Sequence, residues 1–353
     1  MLMSKAQQKT AKRATIKDVA RDAGVSVTTV SNVLNGRTEA MTAETLRRIQ
    51  ETIRVLNYRP SSVARSLVNN STATIGVIVA EIHTPLFLQA LNTIEPLARS
   101  ANYHILLSTA RSYDDERQAV NLLLEKQVEG IIFLCTSAYQ DNDYLLQLPL
   151  SAPPMAFINR ATEQDRFNQI HLDNVNAIVA TIDYLVGLGH RRIAHLHGPA
   201  SRRSSNERLR GYRQGLEKHN LSYREDYIAL GDYLAPPDAS EQSTLTLLNL
   251  SPRPTAIIAA DDIVAAAAMR TIQRAGLKIP QDITVIGIDD HPFCTYLNPT
   301  LTTVQLPITE AGRQAVELLI AQMTGERATS VQRTLSCPLI IRESSGPPPD
   351  NEK

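Results

Sequence analysis

Residues 14–36 read ATIKDVARDAGVSVTTVSNVLNG, and this stretch decides how the amino-terminal part of the chain folds. Thr15 and Asp18 have the spacing of a capping box, so a first helix is expected to begin directly after Thr15. Gly24 breaks that helix, and Ser26 is a good N-cap for a second one. The stretch therefore predicts two short helices that are joined by a tight glycine turn.

A third helix is predicted to follow this pair. It begins after Thr42 and carries one apolar stripe, which consists of Leu46, Ile49, Ile53 and Leu56. Two short helices joined by a glycine turn and braced by a third helix are a helix-turn-helix pattern. Pro60 then occupies the first position expected of a fourth, short helix that runs to Leu67, and a polar linker follows at 69–72.

Beyond this linker, short apolar runs alternate with amphipathic segments of helix length. The runs lie at 75–79, 104–108, 130–134, 155–158, 193–196, 256–259 and 284–288. Such alternation predicts parallel sheets with helices on both faces. A single sheet rarely needs so many strand–helix units, so we expect an α/β body with two lobes.

The composition narrows the class of protein. The chain has 353 residues, enough for two or three domains, and its apolar content of 43% is ordinary for a globular protein. The sequence contains no run of about 18 apolar residues, so no membrane span is expected. The amino terminus also lacks the apolar stretch of a secretory signal. A cytoplasmic protein is expected. Its cysteines lack metal-ligand spacing and are predicted to be small packed side chains, at Cys135, Cys294 and Cys337.

The net charge of zero hides an asymmetry along the chain. Residues 1–67 hold 12 Lys and Arg but only 5 Asp and Glu, so this part carries +7 and the rest carries −7. A compact basic head on an acidic body suggests that the head alone binds a polyanion. A solvated basic face is the alternative, and charge alone does not decide between the two.

Neighbouring acids and histidines raise the alternative of an enzyme, at Asp261-Asp262, Asp289-Asp290-His291 and His195-x-His197. Adjacent aspartates at a strand end point apart, and the histidine pair has no third ligand at metal-site spacing. The sequence also lacks a phosphate-binding loop, a nucleophile elbow and a zinc-protease helix motif. We therefore expect no enzyme, no cofactor and no metal. An exported solute-binding protein would need a signal peptide and would lack the helix-turn-helix.

Several motifs closely resemble the lactose-repressor/galactose-repressor (LacI/GalR) family of transcription regulators, and they occur in the family's order. They are ATIKDVARDAGVSVTTVSNVLNG at 14–36, LNYRPSSVARSL at 56–67, TIGVIV near residue 74, GLGHRRIAHLHGP at 187–199, ERLRGY at 207–212 and ITVIGIDD at 283–290. The resemblance implies a repressor that binds a pseudo-palindromic double-stranded operator as a homodimer. It also implies a periplasmic-binding-protein-like body that holds a sugar-like effector between its lobes.

The chemistry of the second helix agrees with a role in reading DNA. Asn32 can pair with adenine, Thr28 can bond a base edge or a phosphate, and Val27 can pack on a thymine methyl. A helix-end cap is the alternative for Asn32. Phosphate contacts are expected from Thr29, Ser31, Asn35 and Tyr58, and Ser26 completes this set. In the family, paired hinge helices insert a leucine into the minor groove, and the matching residues are Val63, Ala64 and Leu67.

The resemblance also implies an effector site in the body. Its candidate residues are Leu86, Phe87, Asn159, Arg202, Ser204, Arg208, Tyr233, Asp261 and Asp289. Carboxylates and a guanidinium suit a polyhydroxylated ligand, and an aromatic ring can stack on its apolar side. As alternatives, Arg208 pairs only with a surface acid such as Glu207, and Asp262 and Asp290 merely cap the helices that follow them.

These expectations divide the chain into five parts. A disordered basic arm occupies 1–13, the helix-turn-helix domain 14–58, and the hinge helix with its linker 59–72. The two-lobed effector-binding and dimerisation domain covers 73–345, and a proline-rich tail at 346–353 is expected to be disordered.

Overall fold

A computed structural model of the chain describes residues 14–34, 36–39, 41–59, 71–80, 85–134, 143–160, 166–232, 237–327 and 329–349. The chain divides into two compact units, Met1–Thr72 and Ala73–Lys353, which are called the head and the body. Several predictions fall outside the described residues: the basic arm, the hinge helix with Val63, Ala64 and Leu67, and the positions Asn35, Cys135 and Tyr233.

The head contains the three predicted helices, α1 (Ile16–Ala23), α2 (Val27–Leu34) and α3 (Ala43–Val55). The predicted capping box is present, and Gly24 ends α1 in the left-handed conformation with φ 63°. A small core joins the three helices and consists of Val19, Ala20, Ala23, Val30 and Ile49. The helix-turn-helix pattern is confirmed.

The body contains two six-stranded sheets, and each sheet forms one lobe. The first lobe has the strand order β11-β5-β4-β3-β1-β2, and its strands are β1 (Thr74–Val79), β2 (His104–Thr109), β3 (Gly130–Leu134), β4 (Met155–Ile158), β5 (Asn168–Leu172) and β11 (Gln332–Leu335). The second lobe has the order β12-β10-β9-β8-β6-β7, with β6 (Ile193–His197), β7 (Ile228–Leu230), β8 (Ala256–Ile258), β9 (Thr284–Asp289), β10 (Thr302–Gln305) and β12 (Leu339–Ile340).

Helices cover these sheets as the alternation predicts. They are α4 (Pro85–Ser100), α5 (Tyr113–Glu125), α6 (Asp143–Leu146), α7 (Asn174–Gly187), α8 (Arg203–Lys218), α9 (Pro237–Leu248), α10 (Asp262–Arg274) and α11 (Ile308–Met323). The strand pairs are parallel except for β10 with β12. The two-lobed α/β body is therefore confirmed. Among the described helices, none is long and apolar enough to span a membrane.

The chain passes between the lobes three times. It leaves the first lobe after β5, returns after β10 so that α11 packs on β3, β4 and β5, and crosses again between β11 and β12. Because parallel strands place their carboxyl ends at one edge of a sheet, the loops after β4, β8 and β9 belong to the strand ends where α/β proteins bind ligands.

A close helix contact positions one of the predicted site residues. Helix α8 packs on α7, and a Cβ at Gly211 would collide with the carbonyl oxygen of Val175. Glycine is needed here for this close approach. The contact fixes the part of α8 that carries Arg208.

The prediction of a disordered tail is wrong at its start. The carbonyl of Gly346 accepts hydrogen bonds from Nε2 of His190 over 2.8 Å and from Oγ1 of Thr284 over 3.1 Å. These bonds attach the segment to the second lobe. Cys294 and Cys337 are buried, as predicted for packed thiols.

Candidate DNA-reading surface and effector cleft

The amino-terminal end of α2 presents a small surface to solvent. The backbone N–H of Thr29 donates to Oγ of Ser26 over 3.1 Å, and the two hydroxyls lie 2.8 Å apart. These two side chains thus cap the helix. Val27 and Thr28 are exposed between them, with Val27 at 41% exposure. An exposed valine on a short helix has no role in the head core, so it is available for a partner.

The remaining candidates of the head are half-buried. Ser31 and Asn32 lie on the next turn of α2, and the carbonyl of Asn32 accepts from the backbone N–H of Arg37 over 2.9 Å. Tyr58 packs partly against the head core. The exposed end of α2 thus places Val27 and Thr28 foremost, with Ser31 and Asn32 one turn behind.

In the body, acidic residues gather after β8 and β9. Asp261 follows β8 and is 6% exposed, and its Oδ1 accepts from the backbone N–H of Val264 over 2.8 Å. Asp261 is therefore the N-cap of α10. The alternative that gave this capping role to Asp262 is wrong.

Asp262 instead ties three elements together beneath the strand ends. Its Oδ2 accepts from the backbone N–H of His291 over 2.8 Å, and its Oδ1 accepts from Oγ1 of Thr303 over 2.5 Å. The side chain is fully buried. A Cβ at Gly287 would collide with Oδ1 of Asp262, so only glycine leaves room for this carboxyl.

Asp289 and Asp290 form a strained turn at the end of β9. Their φ angles are 124° and 59°, in the left-handed region that favours glycine. The turn is held because Asp290 accepts from Nη2 of Arg342 over 2.6 Å and from Nε2 of Gln305 over 2.8 Å. Asp290 does not cap a helix, so that alternative is wrong as well. Such strain is a feature of functional sites, where surrounding contacts maintain it.

Charge is crowded at this edge of the second lobe. Burial raises the pKa of Asp261, and the nearby charge of Asp289 raises it further. Burial and Asp289 also raise the pKa of Asp262, against the lowering effect of its bond from Thr303. The two carboxyls therefore resist ionisation together unless a cation or a hydrogen-bond donor joins them.

Arg208 brings a guanidinium to the same edge. Its Nη1 donates to the carbonyl of Ala260 over 2.6 Å, and its Nε donates to Oδ1 of Asn174 over 3.1 Å. Glu207 pairs with Arg203 over 2.7 Å, so the alternative that paired Arg208 only with Glu207 is wrong. Arg208 faces Asp261 closely enough to lower the pKa of that carboxyl.

Asn174 is a site residue that sequence reasoning missed. It is 2% exposed, and its Nδ2 donates to Oε2 of Glu207 over 3.0 Å and approaches Oδ1 of Asn159 at 3.4 Å. Asn159 stands at the end of β4 with a φ of 56°. The structure thus joins Asn159 of the first lobe to Arg208 of the second. The one signal in the sequence was the position of Asn174 directly after Asp173, the N-cap of α7.

The other candidates occupy different settings. Leu86 and Phe87 are 8% and 4% exposed and pack into the hydrophobic core of the body. Arg202 occupies the N-cap position of α8 without a capping hydrogen bond from its side chain, and it interacts with another residue. Ser204 is half-buried in the first turn of that helix. The structure brings Asn159, Arg208, Asp261 and Asp289 into one region.

His195, the first residue of the histidine pair, is fully buried. Nδ1 of His195 lies 2.9 Å from the carbonyl of Ile258, and the ring stacks on Tyr212. Burial lowers the pKa of His195 to about 4, so this ring is neutral. Within the described residues, no group of His, Cys, Asp and Glu is arranged to hold a metal ion.

Comparisons with known proteins agree with both parts of the chain. Residues 15–61 match the family model for bacterial regulatory proteins of the lacI family, and residues 182–345 match a periplasmic binding protein-like domain. The transcriptional repressor CytR of Escherichia coli K12 is 33% identical over 344 residues, which cover 97% of this chain and 99% of that protein. The transcriptional repressor PurR of Aliivibrio fischeri MJ11 is 33% identical over 313 residues, or 88% of this chain and 92% of that protein.

Solved structures show the same likeness. The Lac repressor dimer bound to operator and the anti-inducer ONPF matches with a TM-score of 0.84 and 27% identity, over 95% of this chain and all of that chain. A complex of the transcriptional regulator CelR with cellobiose matches with a TM-score of 0.69 and 28% identity, over 94% of this chain and all of that chain.

Proposed function

The chain belongs to the LacI family of bacterial regulatory proteins, and from this membership we propose that it is a transcriptional repressor that binds operator DNA and is controlled by a small-molecule effector. The observation that carries the proposal is the intact helix-turn-helix, whose second helix exposes Val27 and Thr28 at its amino-terminal end. That end enters the major groove in proteins of this kind. Asn32 reads a base, Thr29, Ser31, Asn35 and Tyr58 contact phosphates, and Ser26, the N-cap of α2, completes the DNA-binding set.

The operator is expected to be a pseudo-palindrome that two copies of the chain bind. One helix-turn-helix reads only a few base pairs, and two-fold symmetry doubles the contacts. We assign residues 14–58 to DNA reading, 59–72 to the hinge and linker, and 73–345 to effector binding and dimerisation. A repressor of this kind acts in the cytoplasm, on the nucleoid, and performs no catalysis.

The effector is a sugar or a sugar derivative without a strong negative charge. Asp261 and Asp289 offer acceptors to a ligand rich in hydroxyl donors, while Arg208 already donates to Asn174 and Ala260. The crowded carboxyls of Asp261 and Asp289 would repel an anion, whereas an aromatic ring, the role expected from the sequence for Tyr233, can stack on a sugar.

Effector and operator communicate through the hinge. The effector changes the arrangement of the lobes, and the hinge helices pair on DNA only for one arrangement, because helices this short are marginal alone. Leu67 of the paired hinge helices, which also carry Val63 and Ala64, then enters the minor groove. The effector shifts this equilibrium only by its difference in affinity for the two arrangements.

Two measurements test the proposal. Genomic selection of bound DNA followed by footprinting should yield a symmetric site that protects two half-sites. A thermal-shift screen of the full chain against sugars and nucleosides should raise the melting temperature with one chemical class, since a ligand of the native state stabilises it by mass action. A footprint over one half-site would contradict the dimer, and the absence of any specific site would contradict the function.

A further inference from the structure

His291 lies behind the acid that we expect to bind the effector. Its side chain is 1% exposed, and its Nε2 is 3.4 Å from Oδ2 of Asp289. Neither ring nitrogen has a hydrogen-bond partner within the part of the chain that the structure describes. A buried imidazole without a partner is costly, so its position beside a carboxylate requires an explanation.

The surroundings of His291 are strongly acidic. Asp289 faces the ring from the end of β9, and Asp262 and Asp261 face it from the amino-terminal end of α10. The nearby Cys294 stays a thiol, because burial and Asp262 raise its pKa. The fixed cations of the neighbourhood are engaged elsewhere, Arg342 with Asp290 and Arg208 with Asn174 and Ala260.

The backbone holds His291 in this place. Its N–H donates to Oδ2 of Asp262 over 2.8 Å, and Asp262 is itself fixed by Thr303. On the other side, the ring packs against Phe293 with centroids 5.4 Å apart. The fixed backbone and the ring of Phe293 thus hold the imidazole beside Asp289.

We propose that His291 is a positioning residue whose protonated ring holds Asp289 in place as the effector-binding carboxylate. The inference rests on the proposed function, because it concerns the effector site. An imidazolium beside Asp289 offsets part of the repulsion among three buried carboxyls. Burial alone lowers the pKa of the imidazole, but Asp289, Asp262 and Asp261 together outweigh it, and the net effect is a raised pKa.

The consequence is that the charge of the effector site changes with pH. While His291 is protonated, Asp289 is a carboxylate with a cation behind it and accepts hydrogen bonds from a ligand. When His291 loses its proton as the pH rises, the repulsion among Asp261, Asp262 and Asp289 is no longer offset by that cation. Asp289 is then held less firmly in place, so ligand binding weakens.

The test is a titration of the histidines by NMR in the full chain, with carbon-13 at their Cε1 atoms. The pH is raised from about 5 to about 9, which brackets the ordinary histidine pKa of about 6.5. His291→Gln identifies the signal of His291 by its loss. We expect His291 to titrate above the ordinary value, and His195, the internal reference, to stay neutral throughout this range.

A second sample separates the charge of Asp289 from mere burial. In Asp289→Asn the midpoint of His291 should shift to lower pH, while the signal of His195 should stay that of a neutral ring. A midpoint of His291 at or below the ordinary value, or one unaffected by Asp289→Asn, would overturn the proposal.

Operator binding by the same samples distinguishes this failure from failure of the proposed function. Specific DNA binding together with an ordinary His291 titration contradicts only the role of His291. A raised titration midpoint of His291 in a chain without specific DNA binding contradicts only the proposed function.

Discussion

Asn174 and Arg208 are joined by a hydrogen bond of 3.1 Å from Nε of the arginine to Oδ1 of the amide. The amide group of Asn174 reaches toward Asn159 at the end of β4, while the guanidinium reaches the carbonyl of Ala260 at the end of β8. The strand ends of both lobes thus share one polar connection. A ligand that binds Arg208 must either displace these hydrogen bonds or accept from the remaining N–H groups of the guanidinium.

Asn174→Ala should destabilise the body and weaken the effector response. The substitution leaves acceptor and donor groups without partners in a buried site, which costs about 1–3 kcal/mol. Thermal unfolding measures the loss, and operator release against effector concentration measures the response. Asn176→Ala is the matched control, because Asn176 is exposed in the same first turn of α7, where its Nδ2 donates to Asp173. Equal responses in the two variants would contradict the role of Asn174.

Asp289→Ala and Arg208→Ala should each abolish the effector response and leave operator affinity largely intact. Losing either one leaves a polar group of the ligand without its charged partner. Fluorescence anisotropy on labelled operator, with and without effector, measures both quantities. Asp226→Ala serves as control, since Asp226 pairs with Arg224 at the surface. An unaltered dose response in the two site variants would remove these residues from the site.

Gly287→Ala should destabilise the second lobe and disturb effector binding. The added methyl occupies the space of the Asp262 carboxyl, and overpacking of this kind costs about 1–3 kcal/mol. Gly187→Ala is the control, because a Cβ there meets no other atom within 4 Å. Chemical denaturation of both variants gives the comparison. A Gly287→Ala protein as stable as the wild type would show that Asp262 moves freely. That result would contradict its role in linking α10 to His291 and Thr303 by hydrogen bonds.

Asn32→Ala should lose roughly 1–3 kcal/mol of affinity on the cognate operator and relax the preference at one base position. Arg13→Ala should weaken binding to all sequences alike and flatten the salt dependence, because it removes a charge near the phosphates. Binding arrays over variant sites separate the two effects. If Asn32→Ala kept the preferred site unchanged, its base contact would be refuted.

The stability difference between the wild type and His291→Gln should depend on pH. A histidine whose pKa is raised in the folded state stabilises that state fully below its unfolded pKa. This contribution disappears as the pH rises through the folded pKa. The advantage of the wild type should therefore be largest at acidic pH and vanish at alkaline pH. Urea denaturation at several pH values measures it, and a pH-independent difference would contradict a protonated His291.

Much of the fold could be predicted from local signals. The capping box at Thr15 and Asp18 and the turn at Gly24 depend only on nearby residues, and the structure shows them as expected. Five strands were missed. β7 and β12 have three and two residues, too few to produce a period. β5, β10 and β11 mix polar with apolar residues and so contain no clear apolar run, and all five exist because neighbouring strands supply hydrogen bonds.

The candidate site could be predicted only in part, because burial is a tertiary property. The pattern Asp-Asp at 261–262 marks a strand end, but it does not tell which carboxyl caps α10 and which turns beneath β9. That choice depends on Gly287 and Thr303, which are distant in sequence. Asn174 was missed for the same reason, since its partners come from a helix and a strand end of different lobes.

The most direct test of the account measures effector affinity with and without operator. Coupling between two binding sites is reciprocal, so operator must change effector affinity by the same factor by which effector changes operator affinity. Isothermal titration of the full chain, free and saturated with operator, gives the first factor, and anisotropy gives the second. We expect the change in effector affinity caused by operator to equal the change in operator affinity caused by effector, and both factors to differ from one. Equal effector affinities in the two titrations would show that the cleft and the head are uncoupled and would contradict the account.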